Sequence, residues 1–218
     1  MHDDLDKTIA NLSKHVTDEQ VDRPAITMPA ENDALFKSTG FAARYRPEWQ
    51  RPTSEGWVDM FDRATKEIKR GGILALVGRR GAGKTQMAAE LVRDHQRARG
   101  RYTTAMELFL RLRASFRKDS TESEREIVRA LSRCPVLVID EAQERGGSEW
   151  EDRILTHIID NRYGAQKPTI LIANLTAAEM AAQLGPSICD RIKDAGGMLE
   201  FSNESWRGRS TNNNNKTA

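Results

Sequence analysis

The residues best suited to chemistry are Gly78-Arg79-Arg80-Gly81-Ala82-Gly83-Lys84-Thr85, which read G-x-x-x-x-G-K-[ST]. Glycines at these spacings let backbone N–H groups close round phosphate oxygens. A lysine after the last glycine can reach β- and γ-phosphates, and the Thr85 hydroxyl is an oxygen donor suited to Mg²⁺. The candidate cradle runs from Gly78 through Gln86. A second group, Asp140-Glu141, follows an apolar run. Asp140 is the candidate metal carboxylate, and Glu141 the candidate that orients and polarises an attacking water. A third candidate, Asn174, is placed to reach that water or the γ-phosphate, or simply to start a turn.

These groups need a scaffold, and the flanking pattern supplies one. Ile73–Val77 is an apolar run of strand length, and Thr85–Arg99 is helical in pattern with Gly100 as its stop. Together they put the loop at a helix N-terminus, where unpaired N–H groups and the helix dipole favour anions. Val136–Ile139 predicts a buried parallel strand with both acids at its C-terminal end, where α/β sheets place ligands. Further strands are predicted at Tyr102–Met106, Pro168–Asn174 and Met198–Phe201. Trp57, Met60, Phe61, Ala64 and Ile68 mark a helix before the first strand. Leu108, Leu112 and Phe116 mark another, with Arg111, Arg113, Arg117 and Lys118 on its other faces. Those four cations could track DNA phosphates or form a solvated face. Thr121–Glu124 reads as a capping box for a helix carrying Ile127, Val128 and Leu131. Ser148–Arg162 is helical and buries Trp150, Ile154, Leu155, Ile158 and Ile159. Thr176–Glu179 caps the next helix, and Leu184–Ile192 forms one more short helix.

The chain's 218 residues suit one α/β domain with short extensions. A formal net charge of +2 neither demands nor excludes a nucleic-acid partner. A strand ending in Asp140-Glu141 suits an ATPase, and no internal N-K-x-D guanine reader occurs, since Asn215-Lys216-Thr217-Ala218 lies in the tail and lacks the Asp. A two-lobed helicase would need ~300 residues or more. Cys134 and Cys189 offer neither a disulfide framework nor zinc spacing. No apolar run approaches the ~18 residues of a membrane span, so the expectation is no membrane partner and a cytoplasmic location. Residues 1–40 hold eight acidic and four basic side chains, a formal −4, which leaves +6 for residues 41–218. In that arm Leu5, Ile9, Leu12 and Val16 line one helical face, either packed on its own domain or offered to a partner groove. The stretch after Arg23-Pro24 reads as a linker, and residues 41–52, with two prolines, as extended. Asn212 to Asn215 form a low-complexity polar tail.

The series Gly78–Thr85, Val136–Glu141, Ile170–Asn174, Gly185–Ile192 and Phe201–Arg207 resembles the AAA+ ATPases of the DnaC/IstB group, across about residues 41–209. The specific part is the ending, a short helix with Asp190-Arg191, a strand, then Ser205-Trp206-Arg207. The group has Tyr where this chain has Trp206. The resemblance implies a P-loop NTPase fold of AAA+ type: a five-stranded parallel sheet, helices on both faces and no separate helical lid. It implies residues 1–40 as an arm, 41–209 as the ATPase domain and 210–218 as a tail. Arg191 is implied as an arginine finger in a neighbouring subunit's ATP site, and Arg207 as a γ-phosphate sensor in its own. It also implies a homo-oligomer sharing ATP sites, a replicative helicase or a transposase as partner, and single-stranded DNA at Leu108–Lys118. Loaders of this group carry a longer N-terminal domain, so any helicase dock here shrinks to the Leu5–Val16 helix. The expected function is that of an ATP-hydrolysing helicase loader, with a transposition helper acting on duplex DNA as the alternative. A small-molecule kinase is disfavoured, because kinases need no water activator such as Glu141. A switch that binds ATP without turnover is a further alternative.

Overall fold

The computed structural model describes residues 30–45, 55–95 and 100–201. The arm helix at Leu5–Val16, most of the extended stretch after Tyr45, Arg207 and the Asn tail lie outside the described residues. In chain order the elements are α1 (Ala30–Lys37), α2 (Glu55–Lys69), β1 (Ile73–Gly78), α3 (Lys84–Asp94), β2 (Arg101–Thr104), α4 (Ala105–Ala114) and α5 (Glu124–Arg133). They continue with β3 (Leu137–Asp140), α6 (Glu149–Gly164), β4 (Thr169–Ile172), α7 (Ala177–Ala195) and β5 (Gly196–Phe201). The five strands form one parallel sheet in the order β2-β3-β4-β1-β5.

Strand alternation explains the layers. Ile73, Ala75 and Val77 face one side with Leu137, Ile139 and Leu171, where α4, α5, α6 and α7 cover them. Leu74 and Leu76 face the other side with Val138, Ile170 and Ile172, under α1, α2 and α3. Each fully buried Leu, Ile or Val gains roughly 1.5–3 kcal/mol over exposure, so both layers stabilise the sheet. Strands covered on both faces read as continuous apolar runs, which is why they were legible.

The structure corrects several expected boundaries. α3 ends at Asp94, because His95 turns extended (φ −86°, ψ 120°). β2 stops at Thr104, whose hydroxyl accepts from Glu107 N–H and caps α4, so Ala105 and Met106 are helical. α4 in turn ends at Ala114, leaving Phe116, Arg117 and Lys118 beyond it. Phe116 is exposed and leans on Trp150 rather than entering the core. The box before α5 is Ser123–Glu126, two residues later than expected. α7 runs through the expected short helix and kinks at Gly185, whose φ of +75° suits a residue without a Cβ. Trp150 and Ile154 are only partly buried. α1 occupies part of the expected linker, and its Phe36 is buried against Phe41.

Candidate active site

Parallel strands share an end, and here β1, β3 and β4 finish side by side. β4 lies between β1 and β3, so Asn174 emerges between the loop after β1 and the acids after β3. This is the end at which open α/β sheets bind ligands. The Lys84 ammonium donates to Gly78 O at 2.7 Å, Arg79 O at 2.8 Å and Asn174 Oδ1 at 3.0 Å. All three are neutral acceptors, and an anionic phosphate oxygen is a stronger partner for an ammonium. Gly83 is the N-cap of α3 in the left-handed region (φ 94°), a conformation that favours glycine. The first helical bond runs from Met87 N–H to Gly83 O. The amides of Lys84, Thr85 and Gln86 therefore open toward the loop, as at any helix start.

The donor set beside the loop suits a small hard cation. Thr85 Oγ1 donates to Asp140 Oδ2 at 2.8 Å, so a hydroxyl and a carboxylate converge on one point. Oxygen donors of this kind fit Mg²⁺, which takes one or two protein ligands and keeps its other positions for water and phosphate. Glu141 follows immediately, with a left-handed backbone (φ 52°) unusual for a residue bearing a Cβ. Its amide donates to Asp140 Oδ1 at 2.7 Å, and its carbonyl accepts from Glu144 N–H at 2.7 Å. Strain of about 1–3 kcal/mol held in this way concentrates at functional positions. Burial first, then the Glu144 and Asp140 carboxylates, push the Glu141 carboxyl above its ordinary pKa, with Arg80 opposing them.

The structure does not treat the expected site residues alike. Gly78, Arg79, Gly81, Ala82, Gly83, Lys84, Thr85, Asp140, Glu141 and Asn174 meet at the one sheet end. Arg80, on the loop, reaches across to Glu144 at 3.3 Å and Glu141 at 3.7 Å. Gln86 contributes through its backbone, because its side chain is buried and donates to Glu90 Oε1 at 3.1 Å. Arg191 lies apart, five residues before β5 begins opposite Ile73 and so toward the end of the sheet remote from Lys84. There it pairs with Asp160 at 2.7 Å and donates to Ser187 O at 2.6 Å.

The four expected DNA cations are not equivalent. Arg111 makes a two-pronged pair with Glu122 at 2.8 and 2.6 Å, and Arg113 pairs with the buried Glu151 at 2.8 Å. These contacts tie α4 to the loop leading into α5 and to α6. Arg117 and Lys118 stand exposed on the turn after α4 rather than on the helix.

Sequence reasoning missed two neighbours of the site. Tyr102 OH donates to Asp140 Oδ2 at 3.0 Å. Burial first, then Asp140, push the phenol far above its ordinary pKa, so it stays a donor. Gln143 Oε1 accepts from Asn174 N–H at 3.2 Å, which fixes the backbone that presents the Asn174 side chain. Tyr102 was legible only as a strand residue; its clue was an aromatic hydroxyl on a strand predicted to share the acids' sheet.

A phosphate cradle after β1, acids at the end of β3 and an asparagine just beyond the strand between them define a P-loop protein with an AAA+ fold. The family model for the IstB-like ATP binding protein matches residues 63–214, and the chain belongs to that family. It is 28% identical over 169 residues to the replicative helicase loader DnaC of Escherichia coli K12, covering 74% of this chain and 68% of that protein. Among solved structures it is similar to a DnaC helicase loader, with a TM-score of 0.59, 20% identity, and 73% of this chain and 99% of that one covered. It is likewise similar to AMPPCP-bound DnaA from Aquifex aeolicus, with a TM-score of 0.59, 16% identity, and 73% and 50% covered. No helix among the described residues is long and apolar enough to cross a membrane.

Proposed function

We propose that the chain is a Mg²⁺-dependent ATPase that loads a ring-shaped replicative helicase onto DNA. The observation that carries the ATPase reading is the meeting of Lys84, Asn174, Thr85, Asp140 and Glu141 at one sheet end. The glycine loop and the α3 amides bind the β- and γ-phosphates, and Lys84 leaves its carbonyl acceptors for them. Mg²⁺, held by the Thr85 hydroxyl and Asp140, would offset phosphate charge. Glu141 accepts a proton from the water that attacks the γ-phosphorus, while Asn174 orients that water. ADP and phosphate leave as products. Arg191 neutralises γ-phosphate charge in a neighbouring copy, since it lies toward the far end of its own sheet. Arg207 is assigned to sense the γ-phosphate in its own chain.

The loader role draws on the likeness to DnaC, and with it residues 1–40 act as the helicase dock, 41–209 as the motor and 210–218 as a tail. Arg117 and Lys118, exposed after α4, are the better candidates for single-stranded DNA phosphates, because Arg111 and Arg113 already hold carboxylates. A second reading, a transposition helper acting on duplex DNA, is favoured by the family to which the chain belongs. Phosphate release by the purified chain with Mg²⁺ and ATP tests the motor. Capture of the host replicative helicase by the whole chain, repeated without residues 1–20, tests the loader. Duplex binding that survives that deletion, with no helicase captured, decides for the helper.

A further inference from the structure

Asp140 accepts three hydrogen bonds, and one of them does not come from the site's expected residues. Glu141 N–H meets Oδ1, while Thr85 Oγ1 and Tyr102 OH both meet Oδ2. Register explains why Tyr102 can reach. Thr104 lies opposite Asp140 across β2 and β3, and Tyr102 opposite Val138, so the tyrosine starts one pleat below the carboxylate on the same face. A phenol is long enough to span that step. The tyrosine is also held from behind. Its ring lies 4.4 Å from Phe41 between centroids, its amide donates to Thr39 O at 2.7 Å, and a Cβ at Gly40 would come within 2.9 Å of its carbonyl. A hydroxyl fixed by packing can fix the group to which it donates.

We propose that Tyr102 is a positioning residue for the metal carboxylate: its hydroxyl sets the rotamer in which Asp140 and Thr85 jointly face a divalent cation. The inference rests on the ATPase reading above. Tyr102 touches neither nucleotide nor water in this role. It acts through Asp140, and the segment Thr39–Phe41 keeps the phenol in place. The cation's coordination then depends on a strand at the edge of the sheet that carries no motif residue.

The test is Tyr102→Phe in the full chain, which keeps the ring against Phe41 and removes only the hydroxyl. A fluorescent ATP analogue is titrated at rising Mg²⁺, and again with EDTA. The half-saturating Mg²⁺ concentration should rise about tenfold, the usual cost of losing an outer-shell partner. Affinity for the analogue in EDTA should stay within about twofold, since hydrogen bonds to the loop are untouched. Tyr102→Leu, which also removes the ring, should show at least the same Mg²⁺ shift. An unchanged Mg²⁺ midpoint in Tyr102→Phe overturns the proposal. So does an equal loss of binding with and without Mg²⁺, which would mark the hydroxyl as a prop for the fold alone. Wild-type protein whose analogue binding ignores Mg²⁺ would remove the metal site itself, and that control separates failure of the ATPase reading from failure of Tyr102.

Discussion

Glu141 combines a left-handed backbone with a carboxyl made more basic by burial and by neighbouring acids. Both features put it at odds with its surroundings, as a residue kept for chemistry rather than packing. Glu141→Gln keeps the side chain's size and removes its basicity. Nucleotide binding should stay within about twofold, and phosphate release should fall at least ~100-fold, the usual contribution of a general base. Fluorescent nucleotide titration and a phosphate-release assay check the two halves. Lys84→Ala should abolish nucleotide binding in the same titration. Residues of this kind were legible because their chemistry ties them to a fixed local string. Tyr102 and Gln143 were not, because their roles depend on which strand lies beside β3 and on how the loop after it turns.

Among the elements, α5, α6, β4 and the turn leading into β3 meet at Arg162, which is fully buried. Its guanidinium donates to Leu131 O, Cys134 O, Pro168 O and Thr169 Oγ1 at 2.6–2.9 Å. Three of these are carbonyls at the end of α5 and just before β4; Pro168 O also accepts from Leu137 N–H at 3.1 Å, whereas the Leu131 and Cys134 carbonyls lie past the last helical bonds of α5. Arg162→Met should cost about 3 kcal/mol by taking the guanidinium from the buried Leu131 and Cys134 carbonyls, seen as a lower urea midpoint at unchanged m-value. The sequence pattern counted Arg162 as the last residue of a helix and carried no sign of its burial. His95, which ends α3, is buried beside Thr65, Lys69 and Asp94. Burial first lowers its pKa, Asp94 works against that, and Lys69 adds to it. A depressed folded pKa means the unfolded chain binds the extra proton. Stability should therefore be full above about pH 6.5 and fall as pH drops from there toward the folded value. His95→Gln should flatten that slope in urea melts between pH 5 and 8.

At the scale of the molecule, the positions of the five strands followed from apolar runs and their acidic or polar ends, while the single parallel sheet with helices on both faces was what the family resemblance implied. Element ends did not, since a side-chain cap such as Thr104 competes with the strand it closes. The assembly reading has its own test. Arg191→Ala protein and Lys84→Ala protein should each lack turnover, and mixing them should restore a measurable part. Phosphate release from the mixture reads this directly, and a silent mixture counts against the shared site. Asp160 and Ser187 hold Arg191 meanwhile, so Asp160→Ala should leave nucleotide binding intact and alter only assembly-dependent turnover.

The separation of Lys84 from Arg191 along the sheet gives each copy a head and a tail. A contact that brings one copy's tail to the next copy's head cannot be two-fold symmetric, because the two surfaces differ. Repeating it must either close a ring or wind an open spiral. A spiral leaves its first and last members unequal, with one unmatched nucleotide site at the terminus, and so carries a built-in direction.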